Sequence, residues 1–186
     1  MIHLITGHAG SAHVKAADEA KINQAVYGKG SGAFSYGNNL AITIPNSNQV
    51  KIADGLFYMQ GRWIDVASTE TLTLESGTAG TNRNDLVVIR YNANSTGVET
   101  ALLTIKKGTA GANPADPALT TGTIDDGDLI HEVALYRIPI TGINVGTPVK
   151  LFNTLDPVDW SKLKQVFTLN DTTLTIDLDV LGGNDD

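Results

Sequence analysis

The chain contains no cysteine, which excludes disulfides and thiolate metal sites alike. Basic residues are in the minority, 13 Lys and Arg against 20 Asp and Glu, for a formal charge of -7. A chain without net positive charge is poorly suited to displacing counterions from phosphates, so nucleic-acid binding is not expected. Aromatics make up only 6% of residues, which leaves few rings for stacking against a ligand. No stretch approaches the roughly 20 apolar residues that span a bilayer. The N-terminus lacks a charged segment followed by a long apolar run. Neither membrane insertion nor a signal peptide is therefore expected, and the sequence reads as a soluble product of a cytoplasm.

What is abundant is glycine, 19 residues of 186, together with threonine, asparagine and alanine. This composition suits short strands joined by many turns. The length allows one sizeable domain, or a domain with a short appendage.

The stretch around which the chain is organised runs from Gly80 to Tyr91. Gly80, Asn82 and Asn84 read as turn residues, and Leu86-Val87-Val88-Ile89 with Tyr91 reads as a strand. Alternate side chains point to opposite faces, so Leu86 and Val88 face one way and Val87, Ile89 and Tyr91 the other. Apolar residues on both faces predict a strand covered on both sides. Arg83 and Asp85 stand at its mouth, where an ion pair or turn-capping hydrogen bonds would hold a structural turn.

One helix is predicted, Lys15 to Tyr27. Asp18 and Glu19 fall in its first turn and Gly28 follows as its stop. Its apolar side is thin and rich in alanine, suited to close approach against a sheet or a neighbouring subunit. GKGSG, residues 28–32, reads as a flexible link. Period-two patterns then predict strands at 40–44, 49–53, 56–60, 62–67 and 70–75. A hairpin loop at 92–97 leads to a return strand at 98–107. The connection 108–123 has no strand pattern and is long enough to suggest an exposed functional loop. Residues 129–140 form the longest strand candidate, with Pro139 expected at an edge or outside the sheet. One more strand is expected within 147–152, a short helix at 159–166 and a last hairpin at 167–178, followed by a disordered tail. The fold class expected is mainly β, a β-sandwich or jelly-roll-like domain. Its expected division is an N-terminal segment and helix (1–32), the sandwich (33–154) and a C-terminal appendage (155–186).

Candidate chemistry is sparse. His3, His8 and His13 lie near one another, but two loop histidines without close carboxylates are too few for zinc. His131 sits mid-strand and reads as a packed or interface residue. Asp125, Asp126 and Asp128 around Gly127 resemble a fragment of a calcium loop without its twelve-residue ligand series, so an acidic turn is the simpler reading and an adventitious cation the other. No nucleophile elbow, Walker motif or GxGxxG is present. No enzymatic activity, cofactor or metal is expected.

Six segments in order, ITGHAGSAH with ADEAKINQAVYG, YMQGRWIDV, ESGTAGTNRNDLVVIRY, KKGTAG, ADPALTTGTI and GDLIHEVALYRIPI, resemble a family of structural proteins from tailed bacteriophages and prophages. Members belong to the distal tail, the baseplate or receptor-binding appendages. The resemblance covers roughly residues 1–152. Lys15 departs from it where a helix-capping threonine would be expected, and only about 30 residues follow where the resemblance implies a longer host-recognition region. It implies a virion tail component, made in the host bacterial cytoplasm, that works by assembly with itself, as a trimer or ring, and with other tail or baseplate proteins, and by attaching host-recognition parts. Ile2, Leu4, Ile5, Ala17 and Ala20 are the expected assembly interface. The alternative is a module that binds host cell-surface saccharide through exposed Tyr58, Trp63 or the 108–123 loop.

Overall fold

The computed structural model describes residues 15–155 and the backbone of 167–170 and 173–176. Two units divide the chain, Met1–Leu155 and Asp156–Asp186. The first is mainly β, as the composition implied. Its elements are α1 (Ala16–Tyr27), β1 (Ser31–Phe34), β2 (Ile42–Asn46), β3 (Gln49–Ile52), β4 (Gly55–Met59), β5 (Arg62–Val66), β6 (Glu70–Thr73), β7 (Asn82–Ala93), β8 (Glu99–Lys106), β9 (Ile130–Thr141), β10 (Asn144–Val145), β11 (Val149–Lys150) and β12 (Thr154–Leu155).

Three sheets enclose one core in a β-sandwich-like arrangement. One has the order β12-β1-β4-β5, a second β2-β3-β6, and the third β10-β9-β7-β8 with β11 also on β9. Side chains from all three meet in one cluster that includes Val50 and Ile52, Phe57 and Met59, Leu74, Val87 and Ile89, and Leu135, Ile138 and Ile140. Burying side chains of this kind contributes roughly 1.5–3 kcal/mol each before chain entropy is counted.

The central strand is β7, paired with β9 along one edge and β8 along the other. Val87, Ile89 and Tyr91 join the core cluster. Leu86 and Val88 are equally buried, on the opposite face. That face is crossed by the 108–123 connection, which is largely exposed, as expected, but tied to the sheet along its length. Asn82 exchanges backbone bonds with Gly111, Asn84 and Arg137 both bond to Asp116, and Glu132 bonds to Thr120. Asn82 and Asn84 are strand residues, not turn residues, because the connection gives their edge a partner.

Pro139 is not at an outer edge. It sits between β7 and the β10–β11 side, facing Asn84. Its carbonyl accepts from the N–H of Gly146, so its ring nitrogen points the same way, into the gap between β10 and β11 where no ladder acceptor is left waiting. An extra residue in β9, Leu135, opens a bulge opposite Val87 and Val88. The bulge shifts β9 by one residue, so Val133 and Tyr136 both turn to the core side.

Three short strands escape the sequence pattern: β1, β10 and β12. The supposed flexible link ends inside β1, which lies between β4 and β12. A Cβ on Gly32 would come within 2.8 Å of the Leu155 side chain, so glycine permits the close parallel approach of β12.

Helix α1 lies where expected and ends at Gly28, whose N–H bonds to the Gln24 carbonyl. It packs on the β4–β5 hairpin, whose two turn residues Gln60 and Gly61 both have positive φ, 44° and 90°, as a tight type I′ turn requires. A Cβ on Gly61 would lie 2.4 Å from the Ala20 carbonyl. Gly61→Ala is therefore expected to cost about 1–3 kcal/mol and to lift α1 from the hairpin. A changed near-ultraviolet signal from Trp63 would report it; an unchanged spectrum and melting curve would contradict this docking.

In the second unit β13 (Phe167–Asn170) and β14 (Thr173–Ile176) pair antiparallel, with Asn170 facing Thr173, which bears out a terminal hairpin. The short helix expected at 159–166, and the expected disordered tail at the C-terminus, lie outside the described residues. No helix among the described residues is long and apolar enough to cross a membrane.

Candidate functional site

The densest polar junction joins α1, the β4–β5 turn and the acidic turn at 124–128. Gln60 is its hub. Being at a left-handed turn position, it projects its side chain away from the strand ladder, where Nε2 donates to the Gly122 carbonyl at 3.0 Å and Oε1 accepts from the Ile124 N–H at 2.9 Å. Its own carbonyl accepts from Gln24 Nε2 and Arg62 Nη1. Asn23 donates to the Gly61 carbonyl. His131 is buried beside Gln60, with Nδ1 donating to the Gly122 carbonyl at 2.6 Å. It is a packed histidine.

Arg62 bridges Asp125 at 3.1 Å and Glu99 at 3.3 Å, and lies 5.8 Å from the Tyr91 ring centroid. Its Nε is buried without a hydrogen-bond partner. Burial would raise the Asp125 carboxyl, but hydrogen bonds from Gln24 and Arg62 hold it below its ordinary range. Burial, reinforced by Glu99, pushes the Tyr91 phenol up to about 12. Asp125 is thus committed to protein donors, and Asp128 accepts from the Thr123 N–H at 2.7 Å. The segment is an acidic turn, with Gly127 in the left-handed conformation. Among the described residues no group of three or more His, Asp or Glu is placed to hold a metal ion.

Next to this junction is a cluster of four rings on the outer face of the β4–β5 sheet. Tyr58 and Trp63 face each other across the ladder, and Tyr27 from α1 meets Phe34, Tyr58 and Trp63 at 5.7, 5.9 and 5.2 Å. Tyr58 was expected to be exposed. It is fully buried under the other rings, and its hydroxyl donates to the Gly28 carbonyl at 2.7 Å. Trp63 (37%) and Tyr27 (42%) are exposed, and Phe34 is half-buried. A cavity of about 190 Å³ runs beside Trp63, between Arg62, Tyr91 and Glu99.

The two helix alanines separate. Ala20 is buried on Gly61 within the chain, so it is not free for a neighbour, whereas Ala17 is exposed. The apolar side chains that α1 does expose are Ile22 (44%) and Val26 (61%), one turn apart, with Tyr27 beside them. Ile2, Leu4, Ile5, His3, His8 and His13 lie outside the described residues.

Arg83 and Asp85 lie inside β7 and are buried. Arg83 Nε donates to both Asp85 carboxylate oxygens, at 3.0 and 3.2 Å, and Nη1 donates to the Ser76 carbonyl. Nη2 reaches the Glu75 carbonyl, and Asp85 accepts from the Gly108 N–H. The pair fastens the segments before and after the central hairpin. Its geometry is that of a structural latch.

Sequence reasoning passed over Gln60 and Glu132. Glu132 is buried on the second face of β7–β9 and bonds Arg90, Lys106 and the Thr120 N–H. Burial raises its carboxyl, and these donors together bring it below the ordinary value. A lone acid between the apolar residues of a strand was the available signal, since such a group needs a donor set.

No family model and no curated protein matches this chain.

Proposed function

We propose that this protein is a non-enzymatic structural part of a bacteriophage or prophage tail tip or baseplate. In this reading it works in the virion by assembling with itself and with neighbouring tail proteins. The observation that carries the assembly role is the apolar strip on α1, where Ile22, Val26 and Tyr27 stay exposed beside Trp63. A contiguous exposed apolar patch on a well-packed domain marks an interaction surface. The ordered run of segments across residues 1–152 supplies the kind of assembly. The polar junctions lend support of a different sort, since their carboxylates and guanidinium groups are bonded to one another and hold connections in place.

Symmetric closure is the usual route for identical subunits, and a trimer or ring around a tail axis fits it. The paired substitution Ile22→Asp and Val26→Asp is expected to reduce the assembled mass while leaving the melting temperature within a few degrees. Light scattering coupled to size exclusion, over about two decades of concentration, reads the outcome. A wild-type monomer throughout would reject self-association.

A second reading, recognition of host-surface saccharide, rests on the Trp63 edge beside the cavity formed with Arg62 and Glu99. An aromatic face next to a charged pair suits a sugar ring. Binding to immobilised glycans that is lost in Trp63→Ala would favour it.

A further inference from the structure

The edges of the three sheets are protected in different ways, with one exception. The β2 edge carries Pro45 and a register irregularity. β5 has Arg62 and Asp65 and is covered at its start by α1. β6 is four residues long and opens on Glu70. β10, β11 and β12 have two residues each. Short strands, prolines, bulges and charges are the devices that keep sheet edges from pairing. β8 carries charge only at its two ends and has no proline, bulge or cover along its middle. It runs eight residues, Glu99–Lys106, and Thr100–Ile105 between its ends is uncharged. Thr100, Ala101 and Leu102 are exposed.

The ladder shows which backbone groups of β8 are free. Asn82 exchanges both bonds with Gly111, at 2.9 and 2.8 Å, on the side of β7 that faces β8. The even residues of β7 therefore turn their N–H and C=O groups toward β8. Their partners are the even residues of β8, Thr100, Leu102, Thr104 and Lys106. The odd residues, Glu99, Ala101, Leu103 and Ile105, point theirs outward along the open edge.

We propose that β8 pairs antiparallel with β8 of a second copy about a two-fold axis normal to the sheet, joining the two large sheets into one. Such an axis keeps each face of the sheet on its own side, so odd positions meet odd positions. Centring it on Leu103 sets Ala101 opposite Ile105 and Glu99 opposite Lys107 of the second copy. Centring it on Leu102 leaves Glu99 facing Ile105 with no charge partner. The first register is favoured by charge. Glu99 already holds Arg62, and Lys107 holds Glu75, so the contact extends an alternating chain: Arg62, Glu99, Lys107 and Glu75. The added strand also borders the cavity of about 390 Å³ that opens between β5 and β8, where Ile64, Val66, Ile89 and Leu103 meet the polar Asp65 and Glu70.

This inference rests on the self-association proposed above, to which it adds a two-fold contact that joins two such trimers or rings, and it can fail separately. Ala101→Pro tests it, because the Ala101 N–H points outward and no bond inside the chain is lost. Thr100→Pro, which removes an inward N–H, is the contrasting variant and is expected to destabilise the fold. Ala101→Pro should melt like the parent, while the assembled mass falls by half. Should Ala101→Pro not fold, the charge reversal decides. Lys107→Glu should weaken association, and Lys107→Arg, which keeps the charge, should preserve it. An assembly whose mass is unchanged in Ala101→Pro, or unmoved by the charge reversal, overturns the β8 contact and leaves the α1 contact standing. An odd-numbered wild-type assembly overturns it too, and a wild-type monomer overturns both.

Discussion

Val88→Asp is expected to remove about 3–5 kcal/mol of folding stability, the range for an uncompensated buried charge. Whole domains of this size are stable by only about 5–15 kcal/mol, so the variant should be largely unfolded under mild denaturant. Val88 is fully buried on the face of β7 that the 108–123 connection covers. Its strand neighbours Thr104 and Ala134 provide no cationic partner. Arg90, two residues along on the same face, is engaged with Glu132 and Asn92. A new carboxylate must then protonate, stay unpaired or force the connection off the sheet, and each course is costly. Urea unfolding followed by circular dichroism measures the loss. A midpoint within experimental error of the parent would show that the second face of β7 is not covered.

Asp85→Ala is expected to have an effect of similar size, about 3–5 kcal/mol, by a different route. The substitution leaves the Arg83 guanidinium buried, with Nε stripped of its acceptors, and orphans the Gly108 N–H. Two connections lose their fastening at once. Because the penalty comes mainly from the stranded charge, Arg83→Met combined with Asp85→Leu should be less destabilised than Asp85→Ala alone. Thermal unfolding of the two variants beside the parent separates these cases. If the double variant proves the less stable, the pair contributes more through its bonds to Ser76, Glu75 and Gly108 than its desolvation costs.

Much of the sandwich was legible because strand alternation is a local property. Leu72 and Leu74 alternate with Thr71 and Thr73, and in the structure Leu74 is buried and Leu72 packs against the core. The two-faced apolarity of Leu86–Ile89 pointed to a doubly covered strand, and β7 is one. β1 was not legible. Its four residues include Gly32 and Ala33, and its strand conformation depends on β4 and β12, which come from distant parts of the chain. The attachment of the 108–123 connection to the sheet was not legible for a similar reason. Its partners Asn84, Glu132 and Arg137 are remote in sequence.

The candidate site divides along the same line. Tyr58 and Trp63 stood out as aromatics on neighbouring strands, and the ladder does set them face to face. Which ring remains exposed was settled by α1, whose Tyr27 packs over Tyr58. Arg83 and Asp85 were legible as a pair, because residues two apart on a strand share a face. Their burial depended on the segments at Ser76 and Gly108. The sequence by itself determined element types, the helix stop at Gly28, the central place of β7 and the lack of thiol chemistry. Each of these follows from composition, or from spacing within a few residues. Only the tertiary structure decided which faces are covered, which edges are left open and which charges are partnered, because those depend on contacts between segments that no local pattern relates.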